Sequence, residues 1–220
     1  MTTNISNIEQ IMDILAKHYH FTERTTLNRM RKAKPDPYKL LISCLLSLRT
    51  KDENTEKVVA KLFPVASTPD QILALPTKQL EKLIFSSGHY KKKARTLKEV
   101  SKIIKEKYNY QVPSTREELL SIKGIGPKTA NIVLNFAYNQ LVIPVDVNVH
   151  RISNRLGFIS AKTPEKTELE LNKILPKKYW REINGIFILH GKQVCVPLSP
   201  HCSICPVKDL CPKIGVEKFR

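Results

Sequence analysis

The stretch Ile122-Lys-Gly-Ile-Gly-Pro-Lys-Thr-Ala-Asn-Ile-Val-Leu-Asn-Phe136 decides the fold. The chain has only 7 glycines in 220 residues, yet two of them stand here, just before an apolar run. Gly124 is a good helix-ending residue and Pro127 a good helix-starting one, so the pattern predicts two helices joined by a tight glycine hairpin. A Ser114/Glu117 capping box opens the first helix, which is expected to run from Ser114 to Gly124. In the second, Ala130, Val133, Leu134 and Ala137 recur at i, i+3, i+4 and i+7, so one face is buried. The hairpin is left outside. Gly124 and Gly126 present no side chains, and the first amides of the second helix are unpaired at the positive end of its dipole. A phosphate fits there, and Lys123 adds a charge to the same contact.

Outward from the hairpin, helix signals dominate and alternating strand patterns are almost absent, which predicts an all-α class. Thr68-Pro69 with Gln71, and Thr163-Pro164, are N-terminal signatures. Ala94, Leu97, Val100, Ile103 and Ile104 form an apolar stripe on a segment otherwise rich in lysine. There is no fixed-period repeat, low-complexity tract or obvious linker, so composition does not mark a domain boundary.

The charge balance names a class of partner. Lys and Arg number 37 against 20 Asp and Glu, a formal net charge of +17, which favours a polyanion. The longest apolar stretch, Leu40 to Leu48, is far shorter than the ~20 residues that span a bilayer, so no membrane crossing is expected. The polar start, MTTNISNIEQ, lacks the character of a secretory or transit segment, and an intracellular protein is expected. At 41% apolar residues the chain has material for one large or two small cores. Four of its 5 cysteines crowd into Cys195, Cys202, Cys205 and Cys211, which suggests a metal site rather than a disulfide framework. Zinc and an iron–sulfur cubane both suit four thiolates at C-x6-C-x2-C-x5-C. Cys44, flanked by leucines, reads as an inert buried thiol.

These segments together resemble the endonuclease III family of DNA glycosylases. IKGIGPKTANIVLNFAY followed by VIPVDVNVHRISNRLG is similar to the family's helix-hairpin-helix and catalytic-aspartate segments. LLISCLLSLRTKD resembles its early helix and DNA-facing loop, SSGHYKKKA the loop that probes the duplex, and the cysteine tail its iron–sulfur loop. The resemblance spans roughly residues 35 to 211. It implies a two-lobed fold with the DNA site between the lobes: a six-helix domain at about 30–140 carrying the hairpin, and an iron–sulfur domain of 1–29 plus 141–220.

The resemblance implies a bifunctional glycosylase and abasic-site lyase that removes damaged, oxidised pyrimidines from duplex DNA in base excision repair. It implies that Lys128 attacks the sugar carbon bearing the damaged base. A place in the first turn of a helix suits that role, since the positive dipole end favours the neutral amine a nucleophile needs. Asp146 matches the family's catalytic carboxylate, which supports positive charge on the sugar and faces Lys128. The same residue also reads as an N-cap for a helix beginning at Val147. His150 reads as structural or DNA-adjacent rather than as a general base.

Lys123, Gly124, Ile125 and Gly126 are expected to bind DNA, and the four cysteines to hold a [4Fe-4S] cluster that presents Lys192, His201 and Lys208 to the backbone. Arg49 stands where the family commonly presents a polar side chain to the orphaned base, often glutamine. His89 stands where an apolar wedge is frequent, so both departures bear on the opposite-base preference. The partner expected is double-stranded DNA with damaged bases or abasic sites, met by a monomer in the cytoplasm or nucleoid. Two other readings stay open from the sequence: a mismatch-specific thymine or uracil glycosylase of the same fold, and a non-catalytic DNA-binding module with a structural metal.

Overall fold

The computed structural model describes residues 5–19 and 36–220, and among them there are helices and turns but no strand. The chain divides into two compact units, Met1–Thr22 with Leu141–Arg220, and Glu23–Gln140. The boundary expected near residues 29 and 30 lies outside the described residues.

Within Glu23–Gln140 the helices are α2 (Pro37–Ser47), α3 (Asp52–Leu62), α4 (Pro69–Ala74), α5 (Thr77–Leu83), α6 (Tyr90–Glu106), α7 (Arg116–Ser121) and α8 (Pro127–Phe136). Helix α2 is the apolar stretch that was too short for a membrane. It is buried almost all round, from Leu40 through Leu46, and packs against α3, α6 and α8. Asp36 caps it, its Oδ1 accepting from Tyr38 N at 2.8 Å and Lys39 N at 3.1 Å. No described helix is long and apolar enough to cross a membrane.

Seven helices are described in this unit, and Pro76, which stands between α4 and α5, keeps these two short helices apart. Thr68 caps α4 as expected, accepting from Gln71 N at 3.3 Å, while Gln71 Oε1 reaches back to Ser67 N at 2.9 Å. The lysine-rich α6 buries Ala94, Leu97, Val100 and Ile104, with Ile103 half-buried.

The capping box before the hairpin lies one residue later than the sequence suggested. Thr115, not Ser114, accepts from Glu118 N at 3.4 Å, and its hydroxyl donates to Glu118 Oε2 at 2.6 Å. Burial of Leu119 fixes this phase, and the helix is one short element that ends at Ser121 rather than reaching Gly124.

The other unit contains α1 (Ile5–Tyr19), α9 (Val147–Arg155), α10 (Pro164–Ile174) and α11 (Ile183–Gln193), with 3-10 turns at Lys177–Tyr179 and Cys202–Ile204. Its core draws on both ends of the chain. Ile8, Ile11, Met12, Leu15 and Tyr19 of α1 pack with Val149, Ile152, Ile183, Ile186 and Phe187. Each such side chain, fully removed from water, contributes about 1.5–3 kcal/mol before entropy is counted. Thr163 caps α10 through Lys166 N at 3.3 Å.

Candidate active site, DNA-facing loops and cluster loop

In the hairpin the two glycines have different reasons to be there. Gly124 adopts φ +101°, and a Cβ on it would lie 2.7 Å from Thr96 Cγ2, so the fold itself requires glycine. Gly126 is extended, caps α8, and a Cβ on it would meet nothing within 4 Å. Glycine is a favoured N-cap, and the open space beside it leaves the backbone of the turn accessible from outside. Lys123, Gly124 and Gly126 are exposed, but Ile125 is only 6% exposed and donates its N–H to Ile122 O at 3.0 Å. Ile125 therefore pegs the turn to the core through its side chain.

Lys128 follows Pro127 in the first turn of α8 and is half-buried. Its charge acts on Cys44, yet burial still pushes that thiol up to about 12, so Cys44 is inert as expected. Helix α8 buries Ile132 and Phe136 against Leu40 and Cys44 of α2. The nucleophile candidate thus stands on a packed floor.

The two loops expected to probe the duplex come together in the same unit. Arg49 (φ 52°) and His89 (φ 58°) are both exposed and both left-handed, a conformation that costs a non-glycine residue about 1–2 kcal/mol. A Cβ on Gly88 would sit 2.9 Å from Arg49 O, so glycine is what lets the two loops touch. Arg49, His89, Lys92, Lys93, Thr96 and Gly124 line one cavity of ≈ 480 Å³. The expected loop pair and the hairpin therefore share a basic concavity.

Asp146 lies in the other unit and is 8% exposed. Its Oδ1 caps α9, accepting from Asn148 N and Val149 N, each at 2.9 Å. Asn184 Nδ2 donates to Pro144 O at 3.0 Å and fixes the approach to it. Oδ2 accepts from Asn148 Nδ2 at 3.2 Å, and Asn148 Oδ1 in turn accepts from Arg151 Nη2 at 2.9 Å. Arg151 Nη2 also donates to Cys195 O at 3.0 Å. A hydrogen-bonded line thus joins the carboxylate to the first cysteine of the tail. A Cβ on Gly191 would stand 2.5 Å from Asn148 Oδ1, so glycine there makes room for it. Sequence reasoning missed Asn148, Arg151 and Arg155, although the arginines repeat at i and i+4 on the helix that Asp146 opens. His150 is half-buried, its Nδ1 2.7 Å from Thr167 Oγ1.

All four tail cysteines are free thiols, partly buried, and line one concavity with Ile152, Leu156 and His190. Among the described residues, no three His, Cys, Asp or Glu converge as ligands of a single ion would. Four thiols round a shared cavity suit a polynuclear cluster, in which each iron takes one thiolate. Burial, followed by the neighbouring thiols, pushes Cys205 up to about 11, and Cys202 and Cys211 are also raised. Four such neighbours could be held together as thiolates only with a strong cation among the sulfurs.

Donors surround the set. Arg155 Nη1 lies 3.4 Å from Cys195 Sγ and donates to Val196 O at 2.8 Å, while Nη2 donates to Pro197 O at 2.7 Å. His190 is 2% exposed; burial, then the charges of His18 and Arg151, pushes it down to about 4. Its Nδ1 is 2.8 Å from the Tyr19 hydroxyl and its Nε2 3.8 Å from Cys205 Sγ. Of the basic residues expected to flank the cluster, Lys192 and Lys208 are exposed and His201 is half-buried.

Comparison with known proteins accords with this geometry. Residues 42–177 match the model of the HhH-GPD superfamily of base excision DNA repair proteins, and residues 195–211 match the iron–sulfur binding domain of endonuclease III. The chain is 47% identical to endonuclease III of Thermotoga maritima over 176 residues, 80% of this chain and 83% of that one. It is 36% identical to endonuclease III of Escherichia coli K12 over 194 residues, 84% and 92% of the two chains. Among solved structures, a trapped endonuclease III–DNA covalent intermediate superposes with a TM-score of 0.83 at 33% identity, covering 96% of this chain and 97% of that one. A thermostable thymine-DNA glycosylase superposes with a TM-score of 0.81 at 24% identity, covering 94% and 96%, which shows the shared fold alone. The non-catalytic binding module is thereby set aside, and the chain's cofactor is a [4Fe-4S] cluster. The chain belongs to the endonuclease III family of base-excision DNA glycosylases and abasic-site lyases.

Proposed function

We propose that this enzyme excises oxidised pyrimidines from duplex DNA with Lys128 as nucleophile and Asp146 as the supporting carboxylate. The observation that supports it most is the setting of Lys128: a lysine in the first turn of α8, directly after a hairpin whose Gly126 has open space around it. A strand gripped by its phosphates at Gly124–Gly126 brings its sugar within reach of that first turn. The superposed relative was caught as a covalent adduct with DNA, which accords with a nucleophile in the chain.

In the proposed reaction, the Lys128 amine forms a bond to C1′ as the glycosidic bond breaks and the damaged base leaves with a proton. The carboxylate of Asp146 stabilises the positive charge that develops on the sugar. The aminal opens to a Schiff base, loss of the C2′ proton expels the 3′ phosphate, and water frees the lysine. The [4Fe-4S] cluster on Cys195, Cys202, Cys205 and Cys211 ties the C-terminal loop and makes or breaks none of these bonds. The enzyme works as a monomer on DNA in the cytoplasm or nucleoid.

Borohydride reduction during turnover on an abasic duplex is expected to yield a covalent adduct with the natural chain and none with Lys128→Ala. An adduct that persists in that variant would overturn the assignment. A panel of lesion duplexes tests the substrate: release of oxidised pyrimidines in preference to mismatched thymine or uracil supports this reading, and the reverse makes the enzyme a mismatch glycosylase.

A further inference from the structure

The left-handed turns at Arg49 and His89 need something to hold them, and one buried cation touches both. Lys93 is the fourth residue of α6 and only 8% exposed. Its backbone N–H donates to His89 O at 3.0 Å, the first hydrogen bond of that helix. Its Nζ donates to Leu46 O and to Thr50 Oγ1, both at 2.6 Å. Leu46 O lies in the last turn of α2, where carbonyls lack helical partners. Thr50 donates onward to Leu48 O at 3.3 Å, so the turn that carries Arg49 is tied on both sides of it.

Both acceptors of Lys93 are uncharged oxygens, and burial pushes its amine down to about 8. A buried ammonium bound to neutral oxygens is a costly way to close a loop, since packing an apolar side chain there would avoid the desolvation. What the amine adds over an apolar residue is direction: two short hydrogen bonds fix the turn in one place, where packing alone would let it slide. Thr96, one turn further along α6, packs against Gly124 of the hairpin. One edge of one helix thus spaces three DNA-facing elements.

We propose that Lys93 is a positioning residue: by pinning Leu46 and Thr50 it sets Arg49 at a fixed place beside His89, and so governs discrimination of the base opposite the lesion. This rests on the reading of Arg49 and His89 as the residues that face the opened duplex.

The test uses the full chain with its cluster, in single-turnover nicking of abasic duplexes carrying each of the four opposite bases, and of the same abasic strand without a complement. Lys93→Met is expected to shrink the spread of rates among opposite bases by about fivefold or more, the lower end of what one base-edge contact gives. The rate on the single strand, which has no opposite base, is expected to fall less than the duplex rates. Thr50→Val removes one acceptor without touching the buried amine, and is expected to shrink the spread in the same direction. It decides the matter if Lys93→Met does not fold. Arg49→Ala separates the two claims. If it abolishes the spread while Lys93→Met and Thr50→Val preserve it, the clamp is wrong; if it leaves the spread intact, the reading of Arg49 is wrong and the clamp falls with it.

Discussion

The two units keep their functional residues in place by opposite means. In the unit that closes with Arg220, Asp146 is also a helix cap, and Asn148, Arg151 and Cys195 hold one another in a continuous line. In the proposed mechanism, function and stability there rest on the same atoms. In Glu23–Gln140 the exposed Arg49 and His89 sit in left-handed backbone that opposes folding, and buried neighbours hold them there. The difference teaches that losing the capping and hydrogen-bonding atoms of the first unit should lower stability and activity together, whereas changes at the exposed residues of the second should separate the two.

The largest break should come at the thiols. Cys202→Ser is expected to lose the brown colour and bound iron, and to lower the unfolding midpoint, because metal binding and folding of such a loop are coupled. Visible absorption with elemental analysis checks this; zinc in place of iron would refute the cofactor. Asp146 comes next. Asp146→Asn keeps a good N-cap while removing the charge, so we expect about 10²-fold slower base release with near-normal melting. Asp146→Ala should add a stability loss of about 1 kcal/mol, and equal melting of the two variants would disprove the double role.

The glycines sharpen the comparison in the other unit. Gly124→Ala meets Thr96 and a positive φ, and should cost about 1–3 kcal/mol in denaturant unfolding. Gly126→Ala should leave stability within about 0.5 kcal/mol yet weaken DNA binding, since nothing inside the protein occupies the space of its Cβ. Equal affinity in that variant would remove Gly126 from the interface. The smallest effect is expected at Lys123→Ala, which should weaken binding to all sequences alike and reduce the salt slope by about one ion. An unchanged slope would take Lys123 off the DNA surface.

Much of this was legible in the sequence wherever a signal acts over three or four residues. Thr68, Thr163 and Asp146 cap helices as their spacing suggested, because a cap depends only on the next turn of chain. Ser114 and Thr115 both satisfied the capping pattern, and only burial of Leu119 chooses between them. Ile125 looked like part of an exposed loop, since nothing local says that the apex of a glycine turn points inward. Lys93 left a trace that went unused: it precedes Leu97 by four and Val100 by seven, in phase with the buried stripe, where a lysine has no reason to be unless it finds a partner. That partner is 47 positions away in sequence, beyond the reach of any short pattern.

The placement of α1 has a consequence for how the protein is made. Its apolar face, Ile8, Ile11, Met12 and Leu15, is buried with residues that follow Leu141, and Tyr19 meets His190. A nascent chain emerges first end first, so this face leaves the ribosome with its partners not yet synthesised. All of Glu23–Gln140 must be translated in between, on the order of ten seconds of waiting. During that interval the middle unit can close on itself while the first helix stays sticky. Holdase chaperones that favour amphipathic nascent helices would find a target in α1 until α11 arrives.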